Sequence, residues 1–567
     1  MNRNSESHFS KNPTVEIARS KFDRSFTHKT TFNAADLVPI FVDTTIMPGD
    51  SVTMDLSEVV RMSTPITPVM DNANLDIYFF FVPYRLIWSH WKQMMGENDT
   101  APWTQTIQYT IPQVTNYPST STPINYMFKK GSIGDYMGYP VGITSEYKAS
   151  ILPFRAYCLI WNEFFRDENL QNPVNIDTTI DADRHTISYD NTQYTDVSHA
   201  CRGGGKPLKV CKYHDYFTSC LPQAQKGTAV QIPLGKMSPV RFGEPTFDIT
   251  GYTKDTGLYG SHANIVRDTN IDSTPNITFV GTTSGTSNDS LGQGQYIGLY
   301  ADLSDAIGAT VNQLRQAFAV QKFYEKQALG GSRYIEFIKT HFDVTNPDFR
   351  LQRPEYLGGK RIPISMNQVI QSTPTVSGST PLGATGAYSC TADSDDMFTH
   401  SFTEHGILLG LACIRNMNTY QQGLNRQFSK KTNLDFYLPV FANLGNQAVL
   451  NKEIYLQGNS VVDTDGNIID EQAFGYQEAW ASERYFPDIV TGEMRSNYSQ
   501  SLDIWHYADY YTALPMLGDK WIQADPNNIM RTLAVQSQDQ FIADFYFKAT
   551  YTRPMPLYSI PGLIDHH

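Results

Sequence analysis

Four groups of residues have the types that chemistry needs. Cys201-Arg-Gly-Gly-Gly-Lys206-Pro207, followed by Cys211, His214 and Cys220, offers thiols and an imidazole. Structural zinc sites usually draw such ligands from close pairs such as C-x2-C. Here the cysteines are separated by nine and eight residues, so the expectation is free, partly buried thiols and no metal. Gly203-Gly-Gly-Lys206 has the composition of a phosphate loop. It lacks the spaced first glycine, and Pro207 stands where Ser or Thr would bind magnesium. His400, Glu404 and His405 form an acid–histidine cluster. Catalysis there needs a nucleophile that sequence cannot locate, so structural histidines are expected. No G-x-S-x-G, no H-E-x-x-H and no G-x-G-x-x-G after a strand occurs. Carboxylates abound, but a glycosidase pair is defined by separation in space. A β-sandwich glycan hydrolase therefore stays open, and no catalytic residue or cofactor is assigned.

The fourth group is basic. In residues 1–30, Arg3, Lys11, Arg19, Lys21 and Arg24, with Lys29, outnumber Glu6, Glu16 and Asp23. Such an arm would neutralise a few nucleic-acid phosphates. A solvated tail fits the charge equally well. The whole chain carries −13, which argues against wholesale phosphate neutralisation.

The elements that must position these groups read mainly as strands. Leu37–Val42 is a short apolar run, and Pro48-Gly49-Asp50 signals a turn. Val52, Met54 and Leu56 alternate. Leu75, Ile77, Phe79 and Phe81 alternate too, with Tyr78, Phe80 and Val82 opposite, so this strand is expected to be covered on both faces. His405–Ile414 reads as a buried strand, and Val461–Ile469 as a hairpin around Asp465-Gly466. Phe541, Ala543, Phe545, Phe547 and Tyr551 fall on one face of a long final strand. Pro554, Pro556 and Pro561 then forbid further pairing. A tail that cannot fold on itself is expected to lie on a neighbouring subunit.

Two helices interrupt the strands. Ile151, Phe154, Cys158, Trp161 and Phe165 recur at spacings of three and four, predicting a helix near 151–170. A second is predicted near 305–329. Ser304 would cap it, Ile307, Val311, Leu314 and Phe318 form one stripe, and Gly330-Gly331 ends it. A stripe of this kind is expected to pack on the sheet core. Between the helices, roughly half of residues 248–295 are Gly, Ser, Thr or Asn, with short β-like pieces such as Ile277–Val280. An insertion this long is either functional or disordered. A shorter polar loop covers 371–385.

Aromatic content is 13%, with 33 Tyr and 31 Phe, while charged residues make up only 18%. Such a chain suits sheets and buried interfaces. The N-terminal residues show no apolar signal core, and no apolar run approaches the roughly 18 residues of a membrane span. Six cysteines in a chain of 567 residues are not a disulfide framework.

Several long blocks resemble the major capsid protein of the gokushovirus branch of the microviruses, small icosahedral single-stranded DNA bacteriophages. They are Pro68–Trp88 running on to Trp91 and Gly96-Glu-Asn98, and Arg315–Lys322 leading through Gly330–Tyr334 to Gln352–Gly359. Thr419–Leu424, Phe474–Trp480, Met494-Arg-Ser496, Ser501–His506 and the C-terminal segment complete the set. The similarity thins out in about 236–300 and 371–397.

The resemblance implies an eight-stranded viral jelly roll with large loop insertions and a few helices. It divides the chain into a basic arm (1–30), a first core part (31–235), a variable surface insertion (236–300) and a second core part with the C-terminal strand and tail (301–567). It implies a T=1 shell of about sixty copies around a circular single-stranded DNA genome. The insertion would project at the threefold axes and meet a bacterial surface receptor, with Tyr252, Tyr259, His262, Asn276 and Thr278 as contact candidates. Arg3, Lys11, Arg19, Lys21 and Arg24 would face the DNA. A scaffolding protein, a pilot protein and a small basic DNA-binding protein are the implied partners, with assembly in the host cytoplasm and no membrane insertion. The alternative is a secreted β-sandwich that binds or cleaves glycans.

Overall fold

The computed structural model describes residues 17–98, 108–115, 128–176, 178–179, 206–228, 230, 240–242, 262–268, 276–282, 299–301, 311–373 and 381–559. Nine strands build its centre. They are β1 (Ser20–Asp23), β2 (Phe26–Phe32), β3 (Val38–Ile46), β4 (Ser51–Met62), β5 (Ala73–Pro83), β6 (Glu355–Pro363), β7 (Thr391–Ser401), β8 (Gly406–Asn416) and β9 (Phe541–Arg553).

They form two antiparallel sheets. In the first, β1 and β2 pair in succession along one edge of β9, β9 pairs with β4, and β4 with β7. In the second the order is β6-β5-β8-β3. Sequence neighbours therefore alternate between sheets: β2 lies in the first, β3 in the second, β4 in the first and β5 in the second. A chain that crosses back and forth in this way cannot complete either sheet until its last strand arrives. Phe541 pairs with Met62 and Phe32, more than 470 residues earlier in the chain.

The alternation read from sequence appears as burial. Phe541, Ala543, Phe545, Phe547 and Tyr551 point into the space between the sheets, where they meet Met54, Leu56, Leu75, Ile77, Phe79 and Phe81. Strand β5 is covered on both faces, as its sequence predicts. Phe80 and Val82, on its other face, join Leu409, Leu411 and Cys413 under helix α1 (Leu152–Ile160) through Phe154, Tyr157, Cys158 and Trp161. Helix α1 continues as a π-turn, Trp161–Phe165, and ends at Arg166, short of the predicted boundary near 170. On the outer face of the first sheet, Val59, Ile542 and Tyr546 are exposed.

The chain divides into two compact units, residues 1–226 with 325–567, and residues 227–324. Within the second, Val240–Phe242 pairs with Leu299–Ala301, and His262–Asp268 pairs with Asn276–Thr282. Both pairings are antiparallel and the second is nested within the first in sequence, which is the pattern of one long interrupted hairpin.

One further expectation needs correction. Ser20–Asp23 and Phe26–Phe32 are sheet strands rather than part of an arm, because β9 offers them an open edge. The hairpin around Asp465-Gly466 is present in short form: Val462 bridges Ile468, and the backbone bonds Asp463 N to Asn467 O (2.9 Å) and Ile469 N to Val461 O (3.1 Å) flank it. There the Asp463 carboxylate accepts hydrogen bonds from the amides of Asp465 (2.9 Å) and Asn467 (2.8 Å), closing the turn.

Candidate assembly surfaces

The C-terminal strand is locked in place by one buried carboxylate. Asp43 of β3 accepts from Tyr551 Oη (2.7 Å), Arg24 Nη1 (2.5 Å), and the amide and hydroxyl of Thr45 (2.9 and 2.6 Å). Burial opposes its charge, but these donors win and hold the Asp43 carboxyl below the usual range. Burial and the neighbouring carboxylate push the Tyr551 phenol up, so it stays a donor. Arg553 pairs with buried Asp50 at 3.2 Å. Here the strand ends, and Pro554 and Pro556 start an exposed tail carrying Met555, Leu557 and Tyr558. Pro561 lies outside the described residues.

Two more charged nodes tie the long excursions to the sheets. On the outer face of the second sheet, Asp76 accepts from Tyr213 Oη (2.7 Å), Arg361 Nε (2.7 Å) and the Arg415 guanidinium. Both guanidiniums lie over the Tyr213 ring, 4.5 and 4.1 Å from its centre. Nearby, Lys212 Nζ contacts Asp509 at 2.6 Å, both side chains being buried. Asp509 also accepts from Tyr511 (2.8 Å) and Asn528 (2.5 Å), and Lys212 lies 4.9 Å from the Trp521 ring centre. Every lone pair that matters is used, which is the condition for tolerating a buried ion pair.

Of the groups singled out for chemistry, the described thiols and the acid–histidine cluster are engaged in packing or ion pairs, and His214 is exposed. Cys158, Cys211, Cys220, Cys390 and Cys413 are free thiols. Burial pushes Cys211 and Cys413 up to about 12, the protonated form that neither attacks nor ligates. No group of three or more potential metal ligands gathers among the described residues. Cys201 lies outside them. Glu404 is held by Arg85 through two bonds of 2.7 and 3.0 Å, whereas His400 faces Glu355 at 3.7 Å. His405, the third member of the cluster, stands edge-on to the Trp91 ring, 5.7 Å between centres.

Of the DNA-facing candidates, Arg3 and Lys11 lie outside the described residues. Arg19 and Lys21 are exposed at the edge of the first sheet. Arg24 is committed to Asp43 and lies 4.7 Å from the Tyr551 ring centre, so it serves the fold. Of the loop candidates, Tyr252 and Tyr259 lie outside the described residues. His262 pairs in register with Thr282, Asn276 with Asp268, and Thr278 with Val266.

The helix predicted near 305–329 is present as α2 (Val311–Leu329), its proposed start falling outside the described residues. Its apolar stripe is left exposed. No residue of α2 is buried, and Val311 and Phe318 are 67% and 65% exposed. A stripe shows that a face will be covered, and says nothing about whether the cover comes from the same chain. Helix α3 (Tyr334–Phe342) likewise leaves Tyr334 and Phe342 exposed. Exposed apolar residues in such number mark interaction surfaces.

Comparison with known proteins gives these surfaces a context. The sequence matches the family described as capsid protein (F protein) over residues 10–563. The chain belongs to this capsid-protein family. It is 39% identical to capsid protein VP1 of Bdellovibrio phage phiMH2K, over 99% of this chain and 98% of the relative. It is 38% identical to capsid protein VP1 of Chlamydia phage 1, covering 98% and 97%, and 38% identical to capsid protein VP1 of Spiroplasma virus 4, covering 96% of each. The relationship is the one its blocks resemble, to microviruses of the gokushovirus type. A capsid family member has a structural role and belongs to the virion. No helix among the described residues is long and apolar enough to cross a membrane.

The node carboxylates Asp43, Asp76 and Asp509 escaped the sequence reading, though Asp76 carried a signal. It stands alone in Asn74-Leu-Asp-Ile-Tyr-Phe, a strand apolar on both faces. A charge in such a strand must find a buried partner.

Proposed function

We propose that this capsid protein is the shell-forming subunit of a T=1 icosahedral particle, about sixty copies enclosing a circular single-stranded DNA genome. The observation that carries the reading is the match to capsid proteins along nearly the whole length of the chain. The strand orders β2-β9-β4-β7 and β6-β5-β8-β3, with successive strands alternating between sheets, support assigning the core to the eight-stranded jelly roll. In this reading β1 and β2 act as one interrupted strand. The insertion within 236–300 meets a bacterial surface receptor. Arg3, Lys11, Arg19 and Lys21 face the DNA, while Arg24 also pairs with Asp43. A net charge of −13 per chain calls for a basic companion inside the shell. The small DNA-binding protein fills that place, and scaffolding and pilot proteins assist assembly in the host cytoplasm. The chain acts by contact and performs no catalysis.

Density-gradient sedimentation from producing cells tests this, followed by nuclease digestion and electron microscopy of the peak. A fast-sedimenting spherical particle with nuclease-protected single-stranded DNA is expected. A soluble monomer or dimer, formed with all other phage proteins present, would overturn the reading and revive the glycan-binding alternative.

A further inference from the structure

Between β8 and β9 the chain leaves the sheets and builds a ridge. All ten residues from Lys431 to Val440 are exposed. Six large apolar side chains stand on it: Leu434, Phe436, Tyr437, Leu438, Val440 and Leu444, with Val440 88% exposed. Among the described residues nothing covers them.

The exposure does not come from a loose loop. The Asp435 carboxylate accepts from the amides of Lys431 (2.8 Å) and Thr432 (2.6 Å), closing a short 3-10 turn. The Trp480 indole donates to the Phe441 carbonyl at 2.9 Å and packs edge-on against Tyr437. Lys430 pairs with Glu483 and lies 4.8 Å from the Phe436 ring centre. Arg426 donates to the Ala448 carbonyl at 2.9 Å, fixing the root of the ridge. An apolar surface held in one conformation before contact avoids most of the ordering cost of binding.

Charge identifies the occupant. Copies of a chain at −13 repel one another, so they must meet where charge is locally balanced. Residues 426–444 carry Arg426, Lys430 and Lys431 against Asp435, and the adjoining 478–489 carry Glu478, Glu483 and Asp488 against Arg484. The two halves offset each other, and Lys430–Glu483 and Arg484–Glu478 already pair. The ridge is apolar and held in one conformation, and with the segments beside it its charge is balanced, which suits a contact between identical copies.

We infer that the ridge Leu434–Leu444 is a contact surface between copies of this chain; this rests on the shell reading above. It buries its apolar side chains against a neighbouring subunit.

The test uses the full chain in cells producing all phage proteins. Val440→Asp, alone and with Phe436→Ser, is compared with wild type and with Met70→Asp, an exposed apolar position elsewhere. Particle yield is expected to fall at least tenfold for the ridge variants and to stay near wild type for Met70→Asp. Purified ridge variants should melt within about 2 °C of wild type, since exposed positions contribute little to subunit stability. Val440→Cys, labelled with a benzophenone maleimide before assembly, gives a second readout. Cross-linked peptides from this same chain are expected. Wild-type yield in both ridge variants, or cross-links only to another phage protein, would overturn the inference. Absence of particles from wild type would instead overturn the shell reading.

Discussion

Glu58 of β4 and Lys360 of β6 reach from opposite sheets to meet at 2.7 Å inside the core. Glu58 stands at a core-facing position, in line with Met54, Leu56 and Val60, and its side chain is fully buried. Lys360 is shared with Asp393 of β7 at 3.3 Å. This ion pair is one of the polar links between the two sheets, as Tyr551 to Asp43 is another.

The link predicts a pH dependence. Burial raises Glu58 to about 7, and Lys360 opposes this only in part. The folded state then holds the proton more tightly than the unfolded chain. The Glu58 contribution to stability is complete below about 4.5 and declines as pH rises toward 7, by about 3 kcal/mol in all. Urea unfolding of wild type and Glu58→Gln at pH 5 and pH 8 should show a smaller pH difference for the variant. Lys360→Met should lose more stability at pH 8 than at pH 5. Parallel pH profiles for all three proteins would refute the assignment.

Lys212→Met should destabilise the subunit by about 3–5 kcal/mol, because it strands Asp509 in a buried site. Asp509→Asn keeps Tyr511 and Asn528 as neighbours and is expected to cost less. Denaturant midpoints rank the two. A Lys212→Met midpoint equal to wild type would show that water reaches the pair.

Gly423 abuts the helical turn Asn451–Ile454 so closely that a Cβ there would run into the Glu453 carbonyl oxygen. The neighbouring Leu424 amide bonds the Lys452 carbonyl at 2.8 Å, so the two backbones cannot separate cheaply. Gly423→Ala should cost several kcal/mol, as for other overpacked backbone contacts. A melting temperature unchanged within 1–2 °C would refute this close approach.

Deleting about residues 248–295 should leave shells intact while host attachment falls. Removing residues 1–20 should lower DNA content per particle more than particle number. Quantitative sedimentation with DNA assay and cell-binding counts reads both. Loss of all particles in the first case would make the insertion structural. Equal loss of DNA and shells in the second would make the N-terminus an assembly clamp.

Sequence alone determined that β3, β4, β5, β8 and β9 become strands, and which faces of β5 and β9 are buried; β1, β2, β6 and β7 emerged only in the structure. The alternation from Phe541 to Tyr551 and the two-faced apolar run of β5 fix those, because side-chain direction in a strand has a period of two. It also determined the family, through blocks spread along the chain. Only the tertiary structure decided which strands pair, since β9 finds β2 and β4 across hundreds of residues. It decided the partners of the charges: Arg24 pairs with Asp43, and Glu404 with Arg85. It also decided that the stripe of α2 stays exposed. Periodicity encodes that a surface is apolar; which surface covers it is a matter of three-dimensional proximity.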